Sequence, residues 1–448
     1  MDVRSLLAAA EARGWVRHVA VPVDPHLELA RVVAALGEEI TVFERVRGWP
    51  GRVVAGLCSR RAYFALALGV AEGELIPALL RALRRPVPPP RVMAAPCQEV
   101  VLEEVNLDLL PLLTHLPGDG GPYITSGVAI IRDPDLGRNL AFHRLMKVGR
   151  NAFTARLVEG RGTHTAWLKA QGDLPMVVCV GAPPAVQLAA AMSPAPGVDE
   201  LAIANALAPT PTVPALTYPE IEIPAESEIV LEGHLTQALG PEGPFVDLTR
   251  TRDFIRQQPY FVVERITHRR DPLYQALLPG GLEHRLLMGL PREPTIFDAV
   301  SQVCACRNVV ITPGGGHWLH AVVQIAKAAP DDGKRAIEAA FRGHGSLKHV
   351  VVVDEDVDVY NMEEVEWAIA TRFQADRDLV VLYDQPSSSL DPSARHVPGQ
   401  KSRTAKMGLD ATIPWDTPAG PKDPEAFRTI GYEPLDPAPY LRPAKGGP

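Results

Sequence analysis

EIVLEGHLTQALGPEGPFVDLT, residues 228–249, starts as a strand and ends on a turn bracketed by acids. Its first eight residues, EIVLEGHL (228–235), have the β-branched, alternating pattern of a strand with one buried face. LGPEGPFVDLT (239–249) then sets Gly243, Pro244 and Phe245 between Glu242 and Asp247. A rigid turn can hold two carboxyls at a fixed separation, one ionised and one protonated, the usual division in acid–base chemistry. Two surface acids on a turn have the same spacing, so the pattern alone leaves both readings open.

Further strands surround this stretch: SGVAII (126–131), PMVVCV (175–180) and YFVVERITH (260–268). Helical patterns here are short, PPAVQLAAAM (183–192) and DELAIANAL (199–207), and LAPTPTVPALTYPEIEIPA (207–225) interrupts them with prolines. The expectation is a β-rich central domain, a sheet or barrel. Upstream, RPVPPPRVMAAP (85–96) is stiff and cannot form helix, so it reads as a linker. Before it, strand-like HVAVPV (18–23), TVFERV (41–46) and RVVAGL (52–57) alternate with helical stretches near 26–36, 59–69 and 74–84, a small α/β domain. From about 293, strands VVITP (309–313), WLHAVVQI (318–325) and HVVVVD (349–354) alternate with helices KRAIEAAFRG (334–343) and MEEVEWAIATR (362–372), a further α/β domain. The tail after 411 is polar and proline-rich. The division expected is 1–95, 96–292 and 293–448, in an α/β (α+β) chain.

A 448-residue chain is too long for one ordinary core, and 46% hydrophobic with 22% charged residues is the balance of a globular protein. A net charge of −8 gives no electrostatic case for nucleic acid or an anionic membrane. Arg81, Arg84, Arg85 and Arg91 suit a solvated helix end. The opening MDVRSLLAAAEARGWV reads as an amphipathic surface helix, not a secretory signal. The longest apolar stretch, Met176 to Met192, is broken by Gly181, Pro183, Pro184 and Gln187, against a membrane span. Five scattered cysteines (Cys58, Cys97, Cys179, Cys304, Cys306) argue against a disulfide framework and for a reducing cytoplasm. Cys304 and Cys306 lack a second pair at zinc spacing and read as buried thiols.

Asn139, His164 and Glu200 are donors that suit a hard or borderline divalent ion, although they are too far apart for a motif and a lone histidine is more often a core residue. GGGHW (314–318) and PGG (279–281) are glycine turns that match neither the P-loop nor a dinucleotide fingerprint. The acidic run DEDVD (354–358) reads as a solvated loop.

Taken together, RNLAFHRLMK (138–147), GAPPAVQLAAAMSPAPGVDE (181–200), PAESEIVLEGHL (224–235), PEGPFVD (241–247) and KSRTAKMGLDAT (401–412) resemble the UbiD decarboxylase family over roughly residues 95–415. The resemblance implies an N-terminal α/β domain, a central split β-barrel that binds prenylated FMN, and a C-terminal α/β domain used in homodimer or higher homo-oligomer formation. It implies a catalytic acid–Arg–acid set on Glu242, Arg144 and Asp247, with aspartate where glutamate is usual, so that one methylene is missing. It places Mn2+ on Asn139, His164 and Glu200, adds Arg144, Met192 and Lys406 to the cofactor site with Lys406 on the flavin phosphate, and allows K+ or Na+ as a further ion. Loss of CO2 from an sp2 carbon leaves a carbanion that no side chain can absorb, so a cofactor must be the electron sink. Arg144 would keep Glu242 ionised and orient the substrate carboxylate. Asp247 would return a proton to carbon, for which its unperturbed pKa of about 3.9 must rise through burial.

LLPGGLEHRLLMGLPRE (277–293) resembles the matching segment of furan-dicarboxylate decarboxylases of the same family, where a His and an Arg eight residues apart meet a second carboxylate; His284 and Arg292 have that spacing. The implied substrate is a small carboxylic acid such as furan-2,5-dicarboxylate, decarboxylated reversibly to release CO2, with a prenyl-FMN synthase as cofactor supplier. The segment also resembles archaeal anhydromevalonate phosphate decarboxylases, the alternative substrate reading. The rivals to this chemistry are a non-catalytic subunit of a carboxylase complex and a plain Mn-dependent hydrolase.

Overall fold

In the computed structural model, which describes residues 1–397, 400–417, 420, 421, 423–431 and 433–440, the strand expected at 228–235 runs on to Glu242. This strand, Ile229–Glu242, lies antiparallel between Leu174–Val180 and Arg256–His268. Its register slips between Glu232 and Gly233, where a Cβ would come 2.0 Å from Val262 O. Only glycine lets the two strands approach there, and the bulge bends the sheet.

The central sheet runs Tyr123–Ile124, Leu145–Lys147, Ala152–Ala155, Arg256–His268, Ile229–Glu242, Leu174–Val180, Val128–Asp133, Gly137–Phe142, with Val100–Val101 added alongside Arg256–His268. No ladder joins its two outer strands among the described residues, so the expected barrel is split and open. The chain leaves Gly137–Phe142 on one edge and enters Leu145–Lys147, next to the other edge, through His143 and Arg144 alone. Two residues therefore bridge the split, and one of them is the arginine implicated in catalysis.

The N-terminal strands Val16–Val19, Ile40–Phe43 and Arg52–Ala55 make a sheet that a strand from beyond the linker completes: Leu273–Ala276 runs parallel to Arg52–Ala55 and is buried throughout. Val53, Val54 and Ala55 on the latter strand are buried and need a partner, and the chain supplies it from beyond the proline-rich linker. The helix Val3–Glu11 starts on Asp2, whose carboxylate accepts from Ser5 N at 2.8 Å. The helix Leu282–Gly289 is tied to the same sheet. Glu283 accepts from Gly56 N (2.8 Å), Cys58 N (3.1 Å) and Gln275 Nε2 (3.1 Å), and burial pushes its carboxyl up to about 7. Glu38 in return accepts from Glu283 N at 3.2 Å.

The C-terminal sheet has the order Ala305–Ile311, His320–Ala326, His349–Asp354, Arg403–Asp410, Leu379–Pro386, backed by the helices Asp332–Gly343 and Met362–Arg372. The last two strands lack a clear sequence pattern because Leu379–Pro386 is an edge strand with five of its eight residues exposed and the rest only partly buried. The acidic run is not merely a solvated loop. Asp354 (3.2 Å) and Asp356 (2.7 Å) clasp the fully buried Arg372, since a guanidinium taken out of water needs carboxylates. The five cysteines are free; Cys304 is only partly buried and Cys306 is buried, with burial pushing its thiol up to about 12. Among the described residues no single helix is long and apolar enough to cross a membrane.

Candidate active site

Glu242 ends the long strand, Arg144 crosses the barrel's split, and the hairpin Phe245–Val246/Arg252–Asp253 follows Glu242 directly. Their meeting is thus set by local chain geometry. Arg144 holds Glu242 with both arms, Nε to Oε1 at 2.9 Å and Nη2 to Oε2 at 2.8 Å. Its Nη1 donates to Asp247 Oδ2 at 2.5 Å, and its Nη2 also reaches Asp253 Oδ2 at 2.8 Å. The guanidinium lies 4.6 Å over the Phe245 ring, and Tyr123 Oη donates to Glu242 Oε1 at 3.3 Å. Burial alone would weaken the Arg144 charge, but the hydrogen bond to Glu242 and the charges of Asp247, Glu242 and Asp253 outweigh it and raise its pKa. The planar fork fixes Glu242 rigidly, whereas Asp247 has one guanidinium contact and is the more exposed acid. The three residues of the acid–Arg–acid set are therefore together, and the missing methylene does not keep Asp247 from Arg144.

Asn139 and Glu200 also meet. Asn139 Nδ2 donates to Glu200 Oε1 at 3.2 Å, and Leu140 N to Oε2 at 3.1 Å. Glu200 opens the helix Glu200–Leu207, with Asp199 capping it. Burial pushes the Glu200 carboxyl up to about 7, and no cation compensates it among the described residues. An oxygen pair of this kind, buried and short of positive charge, fits a hard divalent ion. His164 does not join the pair. The helix Gly162–Lys169 turns Thr163 toward Asn139, with Oγ1 at 3.4 Å from Asn139 Oδ1, while the half-buried His164 accepts from Gly160 N at 3.4 Å. A Cβ on Gly162 would sit 2.7 Å from Asn139 Oδ1, so the helix start and the asparagine approach closely. Buried His143 braces Thr163 at 2.9 Å.

His284 and Arg292 lie apart in their contacts. His284 Nδ1 accepts from Gly280 N at 3.0 Å; burial lowers its pKa, and Asp247, Arg144 and Arg285 are charged groups facing it. Arg292, beyond the helix end, donates to Ala191 O at 3.0 Å and lies 5.5 Å over the Trp318 ring. Among the described residues its Nε is buried without a partner, and burial pushes its pKa down to about 10. His344 packs edge-on to Trp318 at 4.5 Å, and its Nε2 is also buried and unpaired. Met192, buried, follows Ala191 at the helix end. Lys406 donates to Gly345 O at 2.8 Å, and burial pushes its amine down to about 8. These buried donors with few acceptors suit an anion. Lys406 has no contact with Asn139 or Glu200; it comes from the C-terminal sheet and borders a cavity of about 430 Å³ with Phe341, Arg342 and Gln385.

Asp253, Tyr123, Thr163, Trp318 and His344 are absent from the residues singled out by sequence. Asp253 had a signal: VDLTRTRD (246–253) is a hairpin pattern that returns an acid to the Glu242 turn. Trp318 and His344 had none, because they come together only through tertiary packing.

Comparison with known proteins gives one consistent result. Residues 91–282 match the 3-octaprenyl-4-hydroxybenzoate carboxy-lyase Rift-related domain, 285–411 its C-terminal domain and 7–83 its N-terminal domain, all of the UbiD type. The anhydromevalonate phosphate decarboxylase of Methanosarcina mazei is 39% identical over 92% of this chain and 96% of its own length. That of Aeropyrum pernix is 38% identical over 94% and 95%. The UbiD-class enzyme HmfF of Pelotomaculum thermopropionicum, solved with FMN, superimposes with a TM-score of 0.91 at 37% identity, covering 99% of both chains. An evolved dimeric form of it, solved with prFMN, gives 0.88 at 36%, covering 98% of this chain and all of that one.

Proposed function

Because the chain belongs to the UbiD family of carboxy-lyases, we propose that it is a prenylated-FMN-dependent decarboxylase of anhydromevalonate phosphate. Furan-2,5-dicarboxylate, the substrate first suggested by His284 and Arg292, yields to this reading because the similar decarboxylases named above act on a phosphorylated acid. The observation that supports it within the chain is Arg292: a buried guanidinium that lacks a carboxylate is costly unless a ligand supplies the anion.

Prenylated FMN, supplied by a prenyl-FMN synthase, would provide the electron sink that decarboxylation at an sp2 carbon requires. The chain's own residues do the rest. Arg144 grips Glu242 through both its oxygens and orients the substrate carboxylate; Phe245 keeps water from its face. Asp247, with one guanidinium contact, hands a proton to the carbon that has lost CO2 and recovers it in the reverse direction. Asn139 and Glu200 would hold Mn2+, which would neutralise the charge of a bound phosphate; His164, a residue away from Thr163, is the further ligand that the family resemblance suggests. Met192 would line the cofactor site, Lys406 would supply a cation to its phosphate, and K+ or Na+ would be the further ion. The edge strand Leu379–Pro386 exposes Leu379, Val381 and Tyr383 beside Met407, a face suited to a second copy in a homo-oligomer. The enzyme works in the cytoplasm. The assembled Arg144 cluster favours this over a non-catalytic subunit.

The test is CO2 release by protein loaded with prenylated FMN. Turnover of anhydromevalonate phosphate, lost without the cofactor, is expected. Turnover of furan-2,5-dicarboxylate alone, or full turnover by flavin-free protein, contradicts the proposal.

A further inference from the structure

Arg144 is held by one more acid than an acid–Arg–acid set needs. Asp253 accepts from Arg144 Nη2 at 2.8 Å through Oδ2, and its Oδ1 is 2.7 Å from Arg256 Nη1. Phe254 N also donates to Oδ1, at 2.9 Å, and the side chain is only 5% exposed. Asp253 pairs with Phe245 across the hairpin, so the turn that carries Asp247 also returns Asp253 to the same guanidinium.

The charges do not balance. Three carboxyls (Glu242, Asp247, Asp253) face two guanidiniums (Arg144, Arg256), which leaves the cluster one proton short of neutrality. Glu242 spends both oxygens on Arg144, and Asp253 spends one on each guanidinium. Asp247 has one guanidinium contact, its other oxygen rests on Leu248 N at 2.6 Å, and it is the most exposed of the three at 16%. Asp247 is thus the acid that can leave the cluster while breaking the fewest ion pairs. The cluster also faces Tyr123 and Asp119 on one side, His284 from the helix Leu282–Gly289, Arg250 on Asp247's own turn, and Glu159 near Arg256.

We propose that Asp253 is a positioning residue of the decarboxylation: it keeps Arg144 locked on Glu242 while Asp247 alone disengages and delivers its proton. In that step the carbon's electron pair, left by departing CO2, forms the C–H bond as the Asp247 O–H bond breaks. The new carboxylate returns to Arg144 Nη1, and no oxidant or reductant is needed. The proposal rests on the acid–base roles of Arg144, Glu242 and Asp247 and not on which acid is the substrate.

The first readout needs no substrate. An infrared difference between the unsubstituted holoenzyme and Asp247→Asn, near neutral pH, is expected to contain the carbonyl stretch of a protonated carboxyl. The same difference taken in an Asp253→Asn background is expected to lack it, because two acids then balance two guanidiniums. In turnover, Asp253→Asn is expected to lower kcat by ~10-fold or more with KM nearly unchanged, and to regain activity toward lower pH. Asp253→Glu, which keeps the charge, restores most of kcat. In Asp247→Asn protein the further change Asp253→Asn costs less than about twofold. A carbonyl band that persists in Asp253→Asn, or a loss of equal size with and without Asp247, overturns the proposal. A wrong substrate assignment would instead appear as unsubstituted holoenzyme that ignores anhydromevalonate phosphate yet keeps the infrared band.

Discussion

Arg144 and Arg292 are both buried guanidiniums, and the fold treats them in opposite ways. Arg144 meets three carboxyls, Glu242, Asp247 and Asp253, within 2.9 Å. Arg292 meets one carbonyl oxygen, Ala191 O at 3.0 Å, and an indole face, while its Nε has no acceptor. The contrast shows in their acidity: the acids raise the Arg144 pKa above its ordinary value, whereas burial pushes that of Arg292 down to about 10. A charge compensated from within stays in place before any ligand arrives. A charge left uncompensated favours the ligand that brings the opposite sign. On the proposed function, the first region carries the chemistry and the second recognises the substrate's anion.

Breaking the compensated side should have the largest effect. Arg144→Ala and Glu242→Gln are each expected to reduce kcat/KM by ~1,000-fold or more. Arg144→Ala also strands Glu242 and Asp247 while Asp253 keeps Arg256, which should cost about 3–5 kcal/mol in urea unfolding. Arg292→Leu sharpens the contrast from the other side: removing an unpartnered charge should leave the melting temperature of the ligand-free protein unchanged or higher. A melting temperature that drops as far as that of Arg144→Ala would end the distinction.

Metal addition is a smaller effect. Mn2+ should raise the melting temperature of the unsubstituted protein, because Asn139 and Glu200 lack a cation, and should not raise that of Glu200→Gln. The smallest effect concerns Lys406. Its ordinary pKa of 10.5 is pushed down to about 8 in the fold, so the unfolded chain holds more protons between those values. Ligand-free stability therefore rises with pH across about 8 to 10.5, and Lys406→Met should flatten that rise. Phosphate binding should weaken over the same window as the amine loses its charge.

Much of the fold was legible because it is written in local periodicity. The helices Met362–Arg372 and Pro184–Ala191 and the strand His349–Asp354 fall where the sequence pattern put them. Strand Leu273–Ala276 in the N-terminal sheet was not legible as such, since a buried four-residue run does not say which sheet it joins. Strands Leu379–Pro386 and Arg403–Asp410 were missed because an exposed edge and interspersed charges blur the alternation. Of the site, Arg144, Glu242 and Asp247 could be named through family resemblance, and Glu242 and Asp247 also through their turn. Asp253 needed the hairpin register, and Trp318 and His344 needed the packing of the C-terminal unit on Arg292. His164 needed the fold to place it: the helix Gly162–Lys169 sets it beside Gly160 N while its neighbour Thr163 meets Asn139.

The most direct test compares kcat/KM for anhydromevalonate phosphate and furan-2,5-dicarboxylate in the holoenzyme and in Arg292→Leu. The expected result is a strong preference for the phosphate in the unsubstituted enzyme that shrinks by ~10-fold or more in Arg292→Leu, with residual turnover retained. An unchanged preference in Arg292→Leu, or an unsubstituted enzyme that favours the furan diacid, would contradict the assignment of Arg292 as the cation that awaits the substrate's phosphate.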